Sequence, residues 1–360
     1  MKRIMLSAVL SAFVVVFCLT GASAAGYNVT YLTTPAGFKS PKLMAINAFG
    51  VIAGTAQDNS GHTYAFVWER DGSVRELAMP AGYISCGIHD MNGLGQCAGY
   101  ATDILGNGHA IAWDKDGTPR DLGALDGVYS VARSINAHGQ IAGWSGAEDG
   151  SVHAMIWDMA GNVTDLGQAQ GWGWSRAQGI NDYGQVAGAF GDSTLSAFKL
   201  TGSSVKILGT RIDPGNSEAI ALNSCGDAIV ALSGLGKTPV LWKESGPNVP
   251  LDGLDSDIVF AWSINDADQV VGWRQLPSGI PPFPANHAIV WDSIGRATDI
   301  NPAGMTSSIA YDINNNGRIV GTCSNGVNNY AVVWTPVPEP SCCLATGLGL
   351  LVLWMRKRRN

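Results

Sequence analysis

The chain has 360 residues, enough for one large domain or two ordinary ones. Charged residues make up only 14% of it, glycine fills 46 positions, and the net charge is −7. This composition favours an all-β protein with many tight turns, and the acidic balance excludes the basic surface that nucleic-acid binding requires.

Residues 1–25 are typical of a secretory signal peptide. A positively charged start and an apolar run lead to Ala22-Ser23-Ala24, which supplies the small residues that signal peptidase needs. We expect cleavage after Ala24 or Ala25. The alternative, an uncleaved membrane anchor, is disfavoured by this small-residue site.

Residues 26–335 contain one unit seven times. The unit is clearest at Ser134–Gly143, where an asparagine turn joins two apolar segments. The asparagines that mark the seven copies are Asn47, Asn92, Asn136, Asn181, Asn223, Asn265 and Asn314. They are 45, 44, 45, 42, 42 and 49 residues apart, a period that indicates a propeller, a solenoid or another repeat array.

Each unit predicts four short strands separated by turn residues. In the third unit the candidates are Tyr129–Ile135, Gln140–Trp144, His153–Trp157 and Val163–Leu166. Four such strands at this spacing form one antiparallel sheet. The third strand ends in tryptophan in six units, with Leu200 in the fourth, and we expect these side chains to pack between sheets rather than to bind a ligand. They are Trp68, Trp113, Trp157, Trp242, Trp291 and Trp334.

The two ends of the repeat region are complementary. The seventh unit ends at Trp334 without a fourth strand, whereas Tyr27–Leu32 is a strand candidate that precedes the first unit. This strand is therefore predicted to complete the last sheet, which closes a ring and removes free edges. An open solenoid would need capping repeats instead. The sequence thus favours a seven-bladed β-propeller of four-stranded antiparallel blades, closed by the N-terminal strand.

The repeats resemble the HAF family of probable extracellular repeats. The resemblance rests on His109–Trp113, His153–Trp157 and His287–Trp291, with supporting Ile-Asn-x-x-Gly turns and Asp-Leu-Gly strand ends. It covers about residues 27–335 and is weakest in repeats four and five, which lack the histidine. The resemblance implies an extracellular location but no particular reaction.

Residues 336–360 form a second targeting element. Pro338, Glu339 and Pro340 precede a short apolar run, and the chain then carries a basic cluster that includes Arg356, Arg358 and Arg359. This order resembles the PEP-CTERM sorting signal of Gram-negative bacteria. The resemblance implies a transient inner-membrane anchor, recognition by an exosortase-type protease, and delivery to the cell surface or extracellular matrix, often alongside exopolysaccharide. The alternative is a plain membrane anchor.

The residue types that carry catalysis do not form a recognisable motif. His109, His153 and His287 hold equivalent positions in three repeats, and equivalent positions on a ring do not converge on one ion. Polar residues that open a strand are the better account of them. The sequence contains no nucleophile elbow, zincin motif or P-loop. We therefore predict no metal site and no cofactor, and we assign no catalytic residue.

Cysteine usage leaves the redox state open. The exported body contains four cysteines, in a compartment that permits disulfides: Cys86, Cys97, Cys225 and Cys323. No spacing among them indicates a metal site. Cys97 occupies a position that Ile141 and Val186 fill in other repeats, so we predict a small buried apolar residue there.

The loops suggest where a ligand would bind. The turns between strands 1–2 and 3–4 share one face and are short, whereas the 2–3 loops and the connections between blades share the other, more variable face. Aromatic residues suited to stacking on sugar rings are predicted there: Tyr83, Tyr129, Trp172, Trp174 and Phe283. The favoured function is an exported binding or structural propeller, associated with exopolysaccharide. The alternative is a polysaccharide hydrolase or lyase. Two or three carboxylates, or a histidine with a tyrosine, converging at the mouth of the central channel would favour it.

Overall fold

The computed structural model describes residues 20–125, 129–208, 216–232, 238–254, 258–276 and 285–337. These residues form twenty-nine strands and one short helix, and the strands lie in seven antiparallel sheets. Within each sheet the strand order follows the chain, apart from the sheet that contains both ends of the described chain. The seven sheets are the blades of a β-propeller, as the repeat predicted.

Blades one to four each contain four strands. Blade one is built from β3 (Lys39–Ile46), β4 (Ile52–Gln57), β5 (Thr63–Trp68) and β6 (Val74–Glu76). Blade two is built from β7 (Ser85–Met91), β8 (Cys97–Thr102), β9 (Gly108–Trp113) and β10 (Pro119–Asp121). Blade three is built from β11 (Tyr129–Ile135), β12 (Gln140–Gly146), β13 (Val152–Asp158) and β14 (Val163–Asp165). After α1 (Leu166–Gln170), blade four is built from β15 (Ser175–Ile180), β16 (Val186–Phe190), β17 (Ser196–Thr201) and β18 (Ser204–Ile207).

Blades five to seven complete the ring. Blade five is built from β19 (Ser217–Leu222), β20 (Ala228–Leu232), β21 (Val240–Trp242) and β22 (Val249–Pro250). Blade six is built from β23 (Val259–Ile264), β24 (Val270–Gln275), β25 (Asn286–Trp291) and β26 (Ala297–Asp299). Blade seven combines β27 (Ser307–Ile313), β28 (Ile319–Ser324) and β29 (Asn329–Pro336) with β2 (Tyr27–Leu32) and β1 (Thr20–Ala24).

The closing strand is β2, and this prediction is confirmed. It pairs with β29 over six residues, from Tyr27 opposite Pro336 to Leu32 opposite Ala331. Val29 is buried in the same core as Trp334. The sequence did not predict β1, which pairs with the outer edge of β2 and lies within the predicted signal peptide. Cleavage after Ala24 or Ala25 would leave blade seven with four strands, like the other six.

The third-strand tryptophans pack between blades, as expected. Trp113, Trp157, Trp291 and Trp334 are almost completely buried, and Leu200 fills the same place in blade four. In four blades the indole N–H donates to a backbone carbonyl that follows strand four of the preceding blade. The four donors are Trp68, Trp113, Trp291 and Trp334. Trp113, for example, donates to Ala78 at 2.9 Å. Each such bond fixes one blade against its neighbour while the ring itself is buried.

The repeated asparagines form a closed ring of hydrogen bonds. The Nδ2 of each donates to the backbone carbonyl of the equivalent asparagine in the next blade, at 3.0–3.4 Å. Asn314 in blade seven donates to Asn47 in blade one and so completes the circuit. The Oδ1 of the same residue accepts N–H groups within its own turn, as in an Asx turn. The residue is therefore both a turn former and a link between blades.

The repeated histidines pair with the repeated aspartates. His109, His153 and His287 each place Nδ1 against the aspartate twelve residues later, at 2.7–3.1 Å. The pair links strand three to the end of strand four within a blade. In the part of the chain that the structure describes, no group of three or more His, Cys, Asp or Glu residues is arranged to hold a metal ion.

The cysteines in the described residues are free. Cys97 is fully buried, as predicted, and Cys86 and Cys323 are buried as well, whereas Cys225 is exposed. Burial raises the pKa of each buried thiol to about 12. No helix within the described ranges is long and apolar enough to cross a bilayer. The predicted sorting residues Pro338, Glu339, Pro340, Arg356, Arg358 and Arg359 lie outside those ranges.

Candidate functional site

A β-bulge interrupts the innermost strand of every blade at the same place. Strand one contains one extra residue, three positions before the repeated asparagine, that has no residue opposite it in strand two. Bulges of this kind redirect a side chain and often lie next to active sites. Here the extra residues are Met44, His89, Arg133, Gln178, Ile220, Trp262 and Tyr311. All seven line one cavity of about 320 Å³ in the central channel.

These seven positions are equivalent by symmetry but differ in chemistry. The position just before the bulge holds a small or aliphatic residue in each blade, and the position three residues after it holds the repeated asparagine. A repeated position whose side chain packs in the core tends to hold the same residue type in every repeat, as the buried tryptophans show. The seven different side chains at this repeated position give the channel wall an asymmetry that the repeat itself does not impose.

A hydrogen-bonded chain crosses three blades along one side of the channel. Arg133 Nε donates to Gln178 Oε1 at 2.9 Å, and Gln178 Nε2 donates to Glu218 Oε1 at 2.6 Å. Burial lowers the pKa of Arg133, although the charges of Glu218 and Asp90 oppose that shift. The glutamine thus fixes both ionic groups without bringing them into a direct ion pair.

Two buried carboxylates line the other side. Asp90 accepts the Ile135 N–H of the next blade at 2.8 Å, and Asp312 accepts the Ile46 N–H across the closure point at 2.7 Å. Burial raises the pKa of both, and the charge of Asp90 contributes to raising that of Asp312 to about 7. Both groups therefore serve as links between blades, and Asp312 changes its protonation near neutral pH.

His89 projects from the bulge of blade two as a neutral side chain. Its Nδ1 lies 2.8 Å from the Ala132 carbonyl, so this nitrogen carries the proton and Nε2 carries the lone pair. Burial and the charge of Arg133 lower the pKa of His89 to about 3. Its ring also packs against Tyr100, with centroids 5.2 Å apart.

Two of the residues predicted for the irregular face lie in one aromatic cluster. The guanidinium of Arg176 stacks between Trp144 and Trp174, 4.5 and 4.9 Å from the two ring centroids. Tyr129 packs edge-on against Trp144, with centroids 5.5 Å apart. The cluster joins blades three and four at the end of the channel where the innermost strands begin. Its role in binding stays a prediction.

The other predicted aromatic residues are held elsewhere. Tyr83 donates its hydroxyl to Asp121 at 2.6 Å, beside His109, and this bond together with burial raises the pKa of Tyr83. Trp172 stacks on Phe190 and packs into the core of blade four. Phe283 lies outside the described residues. The structure therefore does not bring Tyr83 and Trp172 into the cluster with Tyr129 and Trp174.

One arrangement outside the channel has the order of a hydrolytic triad. In blade three, Ser151 Oγ lies 3.2 Å from His153 Nε2, and His153 Nδ1 lies 2.7 Å from Asp165. The same His–Asp pair occurs in blades two and six, where Asn107 and Ala285 replace the serine. The Ser151 N–H is also occupied by Asp149. We therefore assign the pair to blade structure.

The comparisons with known proteins concern the fold. No protein-family model matches the sequence, and no curated protein matches it. Streptogramin B lyase has a similar structure, with a TM-score of 0.54 and 9% identity over 86% of this chain and 98% of its own. A catalytically inactive variant of virginiamycin B lyase from Staphylococcus aureus with quinupristin has a TM-score of 0.53 and 11% identity, covering 86% and 99%.

A third similar structure is a puromycin-hydrolyzing peptidase from Mycobacterium tuberculosis. Its TM-score is 0.56 at 10% identity, and the match covers 88% of this chain and 55% of the peptidase. At these identities the likeness shows the propeller fold alone.

Proposed function

We propose that the protein is an exported, surface-sorted β-propeller that binds an extracellular polysaccharide through its central channel. The observation that carries the proposal is the set of seven different bulge residues that line one cavity on an otherwise repetitive scaffold. Its volume, about 320 Å³, falls at the small end of ordinary ligand sites.

The aromatic residues around the channel support a sugar ligand. Trp262 lies within the cavity, and Phe260 stacks on Trp273 in the same blade, with centroids 4.5 Å apart. Phe260 is also 47% exposed, so part of its ring is accessible to a ligand. Flat apolar faces beside fixed polar groups match the two kinds of surface that a sugar ring presents.

Binding is tested with the purified exported protein on a glycan array, followed by calorimetric titration of each glycan retained. The channel variant Gln178→Ala should weaken binding at least tenfold, because it removes the link between Arg133 and Glu218. The control Leu94→Ala changes an exposed side chain on the opposite face and should bind like the wild type. Equal affinity in all three proteins would place the site outside the channel.

Export and sorting form a separate part of the proposal. The signal-peptide pattern and the resemblance to a PEP-CTERM tail support transient anchoring in the inner membrane, with an exosortase-type protease as partner. We expect removal of residues 336–360 to abolish retention at the cell surface while leaving export intact. Fractionation of the native host and immunoblotting measure this, and unchanged surface retention would contradict the sorting role.

A second candidate function is cleavage of the same polysaccharide by a hydrolase or lyase. The specific observation is that His89 and Tyr311 line the cavity together with Asp90 and Asp312. His89 Nε2 keeps a free lone pair, and Asp312, whose pKa burial raises to about 7, can take up or release a proton near neutral pH. Shortening of a retained glycan on incubation, lost in His89→Gln, would favour this function over binding alone.

A further inference from the structure

The Arg133 guanidinium has an unmet requirement for an anion. It projects from a bulge into the channel, and among the residues that the structure describes no carboxylate lies within ion-pair distance of it. Its single hydrogen bond there uses Nε and goes to the neutral amide of Gln178. The two Nη groups have no partner in the described part of the chain. Arg133 is half-buried, so water only partly solvates its guanidinium, and a ligand that supplies an anion there gains affinity through charge-assisted hydrogen bonds.

A second unpartnered donor belongs to a residue that lines the same cavity. The indole Nε1 of Trp262 is buried, and it has no hydrogen-bond partner among the described residues. Trp262 belongs to blade six and Arg133 to blade three, so the two donors approach the channel from different sides of the ring. A buried donor of this kind is paired in most proteins, which makes its vacancy informative.

The carboxylates of the channel already accept hydrogen bonds. Asp90 accepts the Ser134 hydroxyl and the Ile135 N–H, and Asp312 accepts the Ser263 hydroxyl and the Ile46 N–H. Glu218 accepts from Gln178. The cavity therefore offers the Nη groups of Arg133 together with carboxylates that already accept hydrogen bonds, and a ligand that brings oxygen acceptors complements it.

We propose that the channel holds the carboxylate of an acidic sugar against Arg133, so that the polysaccharide bound is a uronate polymer rather than a neutral one. This inference rests on the proposed function. A carboxylate fits the planar fork of a guanidinium through two parallel hydrogen bonds. Glu218 and Asp90 act on Arg133, so a singly charged group suits the site better than a phosphate dianion, which those carboxylates would repel more strongly.

The test compares each acid with its neutral counterpart. Oligosaccharides of galacturonate, glucuronate, mannuronate and guluronate are titrated into the exported protein, each beside its methyl ester, which keeps the sugar and removes the charge. We expect at least one acid to bind tenfold or more tightly than its ester. In Arg133→Gln the acid should fall to the affinity of the ester. The matched control Arg120→Gln, an exposed arginine outside the channel, should keep the full preference.

Arg133→Lys separates charge from geometry. Lysine keeps the positive charge but loses the fork, so an intermediate preference for the acid is expected. If glycans bind in the channel without discriminating acid from ester, the proposed function stands and the acidic ligand is refuted. If the wild type retains no glycan of either kind, both fail together. A full preference for the acid in Arg133→Gln would place the carboxylate elsewhere.

Discussion

The asparagine ring should contribute measurably to the stability of the propeller, and Asn136→Ala tests it. Asn136 is only 2% exposed. Its Nδ2 donates to the Asn181 carbonyl at 3.0 Å and to Gln140 Oε1 at 2.9 Å. Its Oδ1 accepts the N–H groups of His138 and Gln140 at 3.1 and 2.9 Å. Alanine removes all four bonds, and the Asn181 carbonyl of the next blade keeps the Gly184 N–H as its donor.

The expected loss follows from these contacts. A neutral hydrogen bond contributes about 1 kcal/mol net. Because the two turn bonds are partly replaced by water, we expect Asn136→Ala to lower the free energy of unfolding by about 3 kcal/mol. Urea denaturation of the exported protein, followed by tryptophan fluorescence, measures this through the midpoint and slope.

A matched control isolates the link between blades. Asp158 Oδ1 accepts the N–H groups of residues two and four later, as Asn136 does, but its turn is exposed and makes no bond to another blade through this side chain. Asp158→Ala should therefore lower the free energy of unfolding much less than Asn136→Ala does, because it removes bonds within an exposed turn. Equal losses in Asn136→Ala and Asp158→Ala would show that the ring of asparagines adds nothing, and would refute the reasoning.

Three further predictions follow from closure, charge and burial. Deleting residues 27–34 should lower the melting temperature markedly, because a six-residue strand pairing is lost; an unchanged value would contradict closure by β2. Burial alone raises the Asp299 pKa, but hydrogen bonds from His287, the Asn301 backbone and Arg274 outweigh it and hold it at about 2. Since the folded pKa lies below the unfolded one, this stabilisation, about 1–2 kcal/mol after solvent screening, is present at neutral pH and is lost as pH falls from about 5 towards 2. Denaturant titrations should show Asp299→Asn to be less stable than the wild type by this amount already at pH 7. If the difference in the free energy of unfolding between the two proteins stays the same down to pH 2, this role of Asp299 is refuted. Ellman's reagent should label only Cys225 in the native protein, and all four thiols after unfolding; fast native labelling of a second thiol would contradict the burial of the remaining three.

The architecture was accessible from the sequence because it repeats. Seven asparagine turns set the number of blades, and the missing fourth strand after Trp334 indicated that Tyr27–Leu32 closes the ring. The contacts between repeated motifs were harder to predict from the sequence. In the sequence the histidine of strand three and the aspartate of strand four are two separate repeated residues. Only the pairing of the two strands shows that their side chains contact each other.

The channel residues were missed for a physical reason. Repeat analysis finds positions where residues agree, whereas the bulge position holds a different residue in every blade, such as His89, Arg133 and Trp262. A bulge also leaves no clear mark in the hydrophobic pattern, because one extra residue only shifts the alternation. A signal was nevertheless present, since this variable position lies at a constant distance before a nearly invariant turn. Aromatic residues in loops were a weaker guide, as Trp172 packs inward.

Closure and function are linked through the same positions. Met44 and Tyr311 are neighbours in the channel but lie at opposite ends of the repeat region, and β2 holds their blades together. Asp312 strengthens that junction by accepting the Ile46 N–H of blade one. Because every bulge residue faces one axis, opening the ring at any junction would disperse the cavity before the individual blades unfold. Loss of glycan binding should therefore precede the fluorescence change during denaturation, and the separation between the two transitions should widen in Asp312→Asn, which weakens the junction without altering the core.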